Sequence, residues 1–479
     1  MKISGLCGLI LVMAVTAFIG GSSTLAEDRY VDANTTNPRA PYTNWGTAAA
    51  SIQDAIDAAQ PGDTVFVTNG VYSFGGRVVL GVTNVVVDPP WGPDAVIPGS
   101  DANRIAVTKA IRVQSVAGPD TTIIDGLGSS RCVYLTNGAA LIGFTVTNGY
   151  TSLAGAGVWS LSTNTAVSNC VVVGNRSFDG PGGGIFSGTI QNSILRNNRT
   201  IFRGGGAGYA ILNSCLVISN FVGGGGGGSG GGAASSVLNT CTIVGNLATA
   251  GGGGVVSCTL NSCILYYNQA GFSDLGDNYD YYYYLKPLNF CCTTPLPTNG
   301  VGNFTNPPAF VDLASADYHL QNNSPCLDAG NNAYVSTTTD LDGNPRIVTG
   351  TVDVGAYEFQ SPDTFRGWLL SYRLPGNGAA DNGDSDGDGA GNWQEWRAGT
   401  VPTNAASLLR MESPVLNGSE VTLRWQSVTN RLYYMQSTAN LLGQPYLTIR
   451  SNIQGQADIT SFADTNDGTG LRFYRVGVQ

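Results

Sequence analysis

Apolar and polar residues alternate over very short runs through the middle of this 479-residue chain. Val171 and Val173 are one pair with this spacing, and Ile264 and Tyr266 are another. A period of two residues predicts strands in which every second side chain points into a core. Glycine separates the runs, and valine, isoleucine and threonine are frequent within them. Both features exclude helical repeats, so we predict many short β-strands.

The strand-rich region repeats one pair of positions, a small residue followed five positions later by an asparagine. Cys215 and Asn220 are the pair in the copy that reads LNSCLVISN. The equivalent pairs are Gly143/Asn148, Cys170/Asn175, Ser193/Asn198, Cys215/Asn220, Cys241/Asn246 and Cys263/Asn268. Successive asparagines are 27, 23, 22, 26 and 22 residues apart, and glycine-rich blocks recur in phase with them. Periods of this size indicate a solenoid.

The repeat length predicts what one coil contains. About 22 residues at roughly 3.3 Å each give a circuit of about 70 Å, which suits three short strands and three turns. Leucine-rich repeats have similar periods, but their leucine scaffold is absent here. Successive coils stack about 4.8 Å apart, so equivalent residues form columns. We expect an inward column of cysteines, because thiols pack as small apolar groups, and a turn column of asparagines whose amides bond to one another.

A short amphipathic helix is predicted before the first coil. One helical face carries apolar residues, namely Ile52, Ala55, Ile56 and Ala59, and the helix ends at Pro61. A helix here would close the open end of a solenoid and protect its edge. With this cap, residues 30–290 resemble the right-handed parallel β-helix proteins of the pectin-lyase-like group. The resemblance implies an all-β fold, with a right-handed, three-sided parallel β-helix at residues 27–298.

Residues 1–26 predict a secretory signal peptide. Lys2 precedes an apolar stretch that ends at Gly20, and the small residues Thr24 and Ala26 suit a cleavage site. The alternative is a retained membrane anchor, because the apolar run is close to the shortest length that spans a bilayer. We expect the mature protein to be secreted or held at the cell surface, as exported bacterial proteins of this type are, with no transmembrane span after cleavage.

Residues 299–362 follow the repeat and have a different composition. Their motifs are Ser324-Pro325-Cys326, Ala329-Gly330, Asp340-Leu341-Asp342-Gly343, Pro345-Arg346 and Asp353-Val354-Gly355-Ala356-Tyr357-Glu358. These motifs resemble the choice-of-anchor Q segment of secreted bacterial β-helix proteins, which implies that this part ends the β-helix. Cys291, Cys292 and Cys326 either share one disulfide bridge or remain free thiols, since signal cleavage leaves nine of the ten cysteines.

The sharpest chemical motif is DSDGDGAGNWQE, which begins at Asp384. It matches the pattern D-x-[DN]-x-[DN]-G-x5-E of a calcium-binding loop. The predicted Ca²⁺ ligands are Asp384, Asp386, Asp388, the carbonyl of Ala390, Asn392 directly or through water, and Glu395. The motif resembles a single EF-hand, or half of a dockerin, within residues 363–410. A structural calcium site is favoured over a solvated acidic linker. Residues 411–479 follow this region and alternate in polarity, which predicts a small β module.

Charge and residue usage restrict the possible functions. The net charge is −10 and only 12% of residues are charged, so we expect no nucleic-acid partner. No two aspartates are adjacent, and the single histidine, His319, lies outside the coils. Lys109 and Lys286, the only lysines after residue 26, are far apart in sequence. The chain therefore lacks the signatures of β-helix hydrolases and lyases.

Four arginines are the best candidates for ligand binding, namely Arg176, Arg196, Arg199 and Arg203. Arg176 and Arg199 follow equivalent asparagines, so their Cα atoms should lie about 5 Å apart on successive coils. Two stacked guanidinium groups repel unless an anion bridges them. That anion is either Asp179 of the same chain or the uronate or sulfate group of an acidic glycan.

Two functions fit these observations. The first is an exported, monomeric β-helix protein without catalytic activity, which binds a polysaccharide or envelope glycan or is displayed at the envelope and carries a structural calcium. The alternative is a polysaccharide lyase, or another carbohydrate-active enzyme, acting on an acidic glycan. The missing catalytic signatures favour the first.

Overall fold

The computed structural model describes residues 26–79, 102–224, 228–272, 276–280, 286–321, 323–348, 350–360, 365–375, 380, 382–440, 446–465 and 471–479. The predicted signal peptide lies outside the described residues, apart from Ala26. Within them, the regular structure consists of short β-strands, short α-helices and single 3-10 turns.

Four sheets, named A to D here, run along the repeat region. Sheet A consists of Asp28–Val31, Thr64–Val67, Arg112–Ser115, Ala140–Ile142, Ala166–Ser168, Thr189–Gln191, Ile211–Asn213, Val237–Asn239, Thr259–Asn261 and Leu288–Asn289. Sheet B consists of Gly70–Tyr72, Thr122–Asp125, Thr145–Thr147, Val171–Val173, Ile194–Arg196, Leu216–Ile218, Thr242–Val244, Ile264–Tyr266 and Cys292–Thr293. Sheet C consists of Arg77–Val78, Ala102–Val107, Arg131–Leu135, Val158–Ser160, Ile185–Phe186, Ala207–Gly208, Ala233–Ala234 and Val255–Val256. Sheet D consists of Tyr150–Thr151, Arg176–Ser177, Arg199–Thr200, Phe221–Val222, Leu247–Ala248 and Gln269–Ala270.

Each central coil visits the sheets in the order C, A, B and D. Strands of successive coils pair in parallel and in register in all four sheets, apart from the antiparallel first pair of sheet C. The predicted right-handed parallel β-helix is therefore confirmed. The central coils carry four strands, whereas three were expected, because the glycine-rich block at 180–184 turns the chain again between sheets D and C. Sheet D, the additional sheet, contains strands of two residues each.

The cysteines form the predicted inward column. Register partners in sheet B place Cys170, Ser193, Cys215, Cys241, Cys263 and Cys291 in single file. The amide of Cys241 donates to Sγ of Cys263 over 3.4 Å, and the amide of Cys170 donates to the hydroxyl of Ser193 over 3.1 Å. All cysteines of the described residues are buried free thiols, and Cys292 hydrogen-bonds to Cys326 without a bridge.

The asparagines form a continuous buried ladder at the turn between sheets B and D. Its members are Asn175, Asn198, Asn220, Asn246, Asn268 and Asn278. The backbone and side-chain amides of Asn220 both donate to Oδ1 of Asn246, over 2.9 and 3.0 Å. The predicted pair Gly143/Asn148 is wrong by one residue, because Phe144 and Gly149 occupy these columns. The side chain of Asn148 instead donates to Asp125.

The predicted capping helix spans Ile52–Ala58. The hydroxyl of Ser51 accepts from the amide of Asp54 over 3.2 Å, which satisfies one free N–H of the first turn. Ile52, Ala55 and Ile56 are buried against the first coils. A 3-10 turn at Trp45–Thr47 precedes the helix.

Residues 323–348 and 350–360, here called the side segment, lie along the corner between sheets A and B. Asn192 donates to the hydroxyl of Thr339 over 2.8 Å, and the amide of Ala356 donates to the hydroxyl of Thr242 over 2.9 Å. Between residues 293 and 323 lies a hairpin of Phe310–Asp312 and Asp317–Leu320, and the side segment contains a 3-10 turn at Asn332–Tyr334. Although it follows the last coil in sequence, the side segment covers several earlier coils from the side.

The described residues of the C-terminal part form two helices and a small β module. The helices are Phe365–Ser371 and Asn392–Ala398. One antiparallel sheet contains Val415–Asn417, Glu420–Ser427 and Asp458–Thr465, and the other contains Leu447–Gln454, Leu432–Thr438 and Phe473–Val478. Leu423, Trp425, Tyr433 and Met435 are fully buried in its core. No helix among the described residues has the length and apolar character needed to cross a membrane.

Candidate functional site

The outer face of sheet D presents a column of basic and aromatic side chains, here called the D column. Its first four members are register partners on successive coils, namely Tyr150, Arg176, Arg199 and Phe221. Both arginines are exposed. The guanidinium carbon of Arg199 lies 4.7 Å from the ring centroid of Phe221, within the range of a cation–π contact.

The arginines of the D column have no carboxylate partner in the part of the chain that the structure describes. In the described ranges, no Asp or Glu oxygen lies within ion-pair distance of Arg176 or Arg199, and Asp179 is not bonded to either. The intramolecular salt bridge considered as an alternative is therefore not formed. Two neighbouring positive charges are left for solvent or for an external anion.

An open groove of about 640 Å³ adjoins the D column. Its lining includes Leu127, Asn148, Tyr150 and Arg176, with glycines between them. The glycines leave backbone atoms exposed in the groove wall. The side chains of the wall add an aromatic ring, an amide and a guanidinium group.

The other two predicted binding arginines are not part of the D column. Arg196 belongs to sheet B, where its register partners are Val173 and Ile218, and the asparagine turn separates it from Arg199. Arg203 is half-buried at an isolated bridge with Ser229. The structure therefore brings together two of the four arginines.

The predicted calcium loop folds around its aspartates. Ligand oxygens of Asp384, Asp386 and Asp388 lie within 4.8 Å of one another. Asp384 accepts from the amides of Gly387 and Gly389, both over 2.8 Å. Three carboxylates this close repel one another unless a cation lies between them.

Glu395 provides an independent test of whether the loop fits a cation. It has no exposed surface, and its Oε2 has no hydrogen-bond partner. One carboxylate oxygen each of Asp386 and Asp388 is likewise buried and unpartnered. Burial, followed by the charges of Asp386 and Asp388, raises the pKa of Glu395 to about 7. Buried oxygens without donors are what a hard cation requires, so the residues fit Ca²⁺.

The remaining two predicted ligands have other contacts. The side-chain amide of Asn392 donates to the carbonyl of Ala380 over 2.7 Å, and its oxygen accepts from the hydroxyl of Ser385 over 3.1 Å. Asn392 is also the first residue of the helix that carries Glu395. The amide of Ala390 donates to Asp388 over 2.7 Å. Asn392 therefore ties the loop to Ala380, which precedes the loop in sequence. Its position in the motif did not indicate this role.

His319 is a functional candidate that the sequence analysis did not identify. Its Nδ1 lies 2.5 Å from Asp317 and its Nε2 lies 2.6 Å from Asp342, beside a cavity of about 910 Å³. Burial alone would lower the pKa of His319, but the hydrogen bonds and charges of Asp342 and Asp317 raise it to about 9. Asp317 lies two residues away and was visible as a neighbour, whereas Asp342 joins only through folding.

Lys109, one of the two lysines after residue 26, has a structural role. Its Nζ donates to the carbonyls of Ile56, Asp57 and Ala59, over 3.1, 2.8 and 2.6 Å. These carbonyls end the capping helix, where a cation is favourable. The lysine is thus engaged in holding the cap.

Comparison with solved structures finds similarity at low sequence identity. The solved structure of pectate lyase Pel9A aligns over 70% of this chain and 97% of its own, at 14% identity and a TM-score of 0.38. A rhamnogalacturonan lyase aligns over 68% of this chain and 90% of its own, at 12% identity and a TM-score of 0.26. No protein-family profile matches the chain, and no curated protein is significantly similar to it.

Proposed function

We propose that this chain is an exported, non-catalytic β-helix protein that binds an acidic glycan along the D column and carries a structural Ca²⁺ in its C-terminal part. The observation that carries the proposal is the pair Arg176 and Arg199, which are register partners on adjacent coils, are exposed, and have no carboxylate partner among the described residues. Export rests on the signal-peptide pattern of residues 1–26.

The chemistry of the D column favours an anionic sugar polymer. Register partners in a sheet are about 4.8 Å apart, so Arg176 and Arg199 offer two planar donor groups at the spacing of one rung. Guanidinium groups bind carboxylate and sulfate in a bidentate manner. Tyr150 flanks the pair and offers a ring face to the apolar face of a sugar ring, whereas Phe221 contacts the guanidinium group of Arg199.

The calcium part of the proposal rests on the loop around Asp384. Asp384, Asp386, Asp388 and Glu395 would hold the ion. Its charge would compensate the three clustered aspartates and the buried, unpartnered oxygens of Asp386, Asp388 and Glu395. We assign it a structural role, because the loop lies between two short helices whose packing it can fix.

Affinity electrophoresis in gels containing polygalacturonate or dextran sulfate tests the glycan proposal, with neutral dextran as the reference. We expect the wild-type chain to be retarded by both anionic polymers, and Arg176→Ala/Arg199→Ala to lose most of the retardation. The matched control is Arg112→Ala/Arg410→Ala, which removes the same charge from exposed positions on sheet A and before the β module. Equal retardation of the two double variants would contradict the proposed site.

A further inference from the structure

The helix Asn392–Ala398 is shared by the calcium loop and the β module. Its Glu395 is buried and lies within reach of the charges of Asp386 and Asp388 in the loop. Carbonyls at its C-terminal end are bonded by an arginine from the β module. Nε of Arg431 donates to the carbonyl of Arg397 over 2.9 Å, and Nη2 donates to the carbonyl of Trp396 over 3.0 Å. Two of the four free carbonyls of the helix end are thus satisfied by one guanidinium group.

Arg431 is held in position by the β module itself. It ends the turn that joins Glu420–Ser427 of one sheet to Leu432–Thr438 of the other. Its carbonyl accepts from the amide of Gly455 over 3.0 Å, and the amide of Val428 donates to the hydroxyl of Tyr433 over 3.0 Å. The guanidinium group is therefore presented from a braced turn, and it also lies at the negative end of the helix dipole.

The same helix also packs against the helix Phe365–Ser371. The ring of Phe365 lies 4.9 Å from that of Trp393 and 5.5 Å from that of Trp396. The helix backbone reverses at Gly399, whose left-handed φ is 77° and whose amide donates to the carbonyl of Glu395 over 2.7 Å. A helix of seven residues depends on such contacts, because isolated helices of this length are unstable in water.

We infer that ion binding at the Asp384 loop and docking of the β module through Arg431 are coupled, so that Ca²⁺ fixes the position of the module. The inference rests on the calcium part of the proposed function. Without the ion, Glu395 keeps a buried oxygen that has no hydrogen-bond partner, which favours opening of the helix. Opening would move the carbonyls of Trp396 and Arg397 out of the positions in which Arg431 binds them. Linkage is reciprocal, so loss of the Arg431 contacts must weaken ion binding by the same factor.

Calorimetric titration of the chelator-treated full chain with CaCl₂ measures the coupling. We expect Arg431→Ala to weaken Ca²⁺ binding about fivefold or more, the lower range of typical coupling between sites. The matched control is Arg424→Ala, an exposed arginine of the same module whose ion pair with Glu412 is 3.5 Å long and does not involve the helix. It should stay within twofold of wild type.

Limited trypsin digestion provides the second readout. Ca²⁺ should protect the bond after Arg397 in wild type and in Arg424→Ala, but not in Arg431→Ala. If Arg431→Ala fails to fold, Arg431→Lys keeps the charge but not the planar fork, and it should show the same loss. Unchanged affinity and protection in the folded arginine variants would overturn the coupling. A wild-type chain that binds no Ca²⁺ would overturn the calcium proposal as well, while glycan retention remains a separate result.

Discussion

Asn246 is the residue through which the asparagine ladder can be tested most directly. It has 1% of its surface exposed, and its Oδ1 accepts from the backbone amide and the side-chain amide of Asn220. Its own side-chain amide donates to the carbonyl of Val217 over 2.8 Å and to Asn268 over 2.9 Å. Replacement by alanine removes both the acceptor and the donor from the interior of the stack.

The structure gives the magnitude of the loss. Asn246→Ala leaves two N–H groups of Asn220 and the carbonyl of Val217 without these partners. Each buried polar group left unsatisfied costs about 1–3 kcal/mol. We therefore expect the free energy of unfolding to fall by about 3 kcal/mol or more.

Asn239 on the same coil is the matched control. Its side chain donates to Asn213 over 2.8 Å and accepts from Asn261 over 2.8 Å, but it is half-buried, so water can replace these bonds. Asn239→Ala should cost about 1 kcal/mol or less. Unfolding of both variants in guanidinium chloride, followed by far-UV circular dichroism, measures the loss. A shift of the transition midpoint with an unchanged dependence on denaturant concentration reports the change in free energy of unfolding. Equal midpoints would refute the assignment of stability to the buried ladder.

Two further predictions concern the C-terminal half. Chelation should lower the melting temperature of the part that contains residues 363–479, and scanning calorimetry measures this. Glu395→Gln should abolish the response to Ca²⁺. A melting temperature that does not change with chelator would contradict the calcium site. His319 has a folded-state pKa of about 9, above the ordinary value of 6.5, so its stabilisation is complete below pH 6.5 and disappears as the pH rises through 9. Because its side chain is 39% exposed, we expect His319→Gln to cost about 1 kcal/mol at pH 6 and nothing at pH 10, and a pH-independent difference would be inconsistent with the ion pairs to Asp317 and Asp342.

The columns could be predicted from sequence because each coil repeats one local environment. A buried position that needs a small side chain recurs every coil as cysteine or serine, and a turn that needs an amide recurs as asparagine. The first copy departs from the repeat, because Phe144 fills the cysteine column there and Gly149 fills the asparagine column, so the pattern places its pair one residue too early. Neither phenylalanine nor glycine is the residue type that the other copies have in these columns.

Contacts between distant segments could not be read in this way. The side segment is held by Thr337 and Thr339, whose hydroxyl contacts with Ser214 and Asn192 have no periodic signal. Arg431 lies 34 residues from the carbonyl that it binds, in a turn of ordinary composition. The ion pairs of His319 likewise need Asp342, 23 residues away. Such contacts are decided by how separate elements pack, not by local patterns.

The contrast between inward and outward positions strengthens the functional argument. Inward residues of the coils are explained by packing and by the ladders, and substitution there is limited by stacking on both neighbours. Outward residues of sheet D touch solvent, so packing does not require Arg176 beside Arg199, and their mutual repulsion disfavours the pair. In a chain with only 12% charged residues, a like-charged pair placed on adjacent rungs and flanked by aromatic rings calls for an external anion, which is the partner that the D column is proposed to bind.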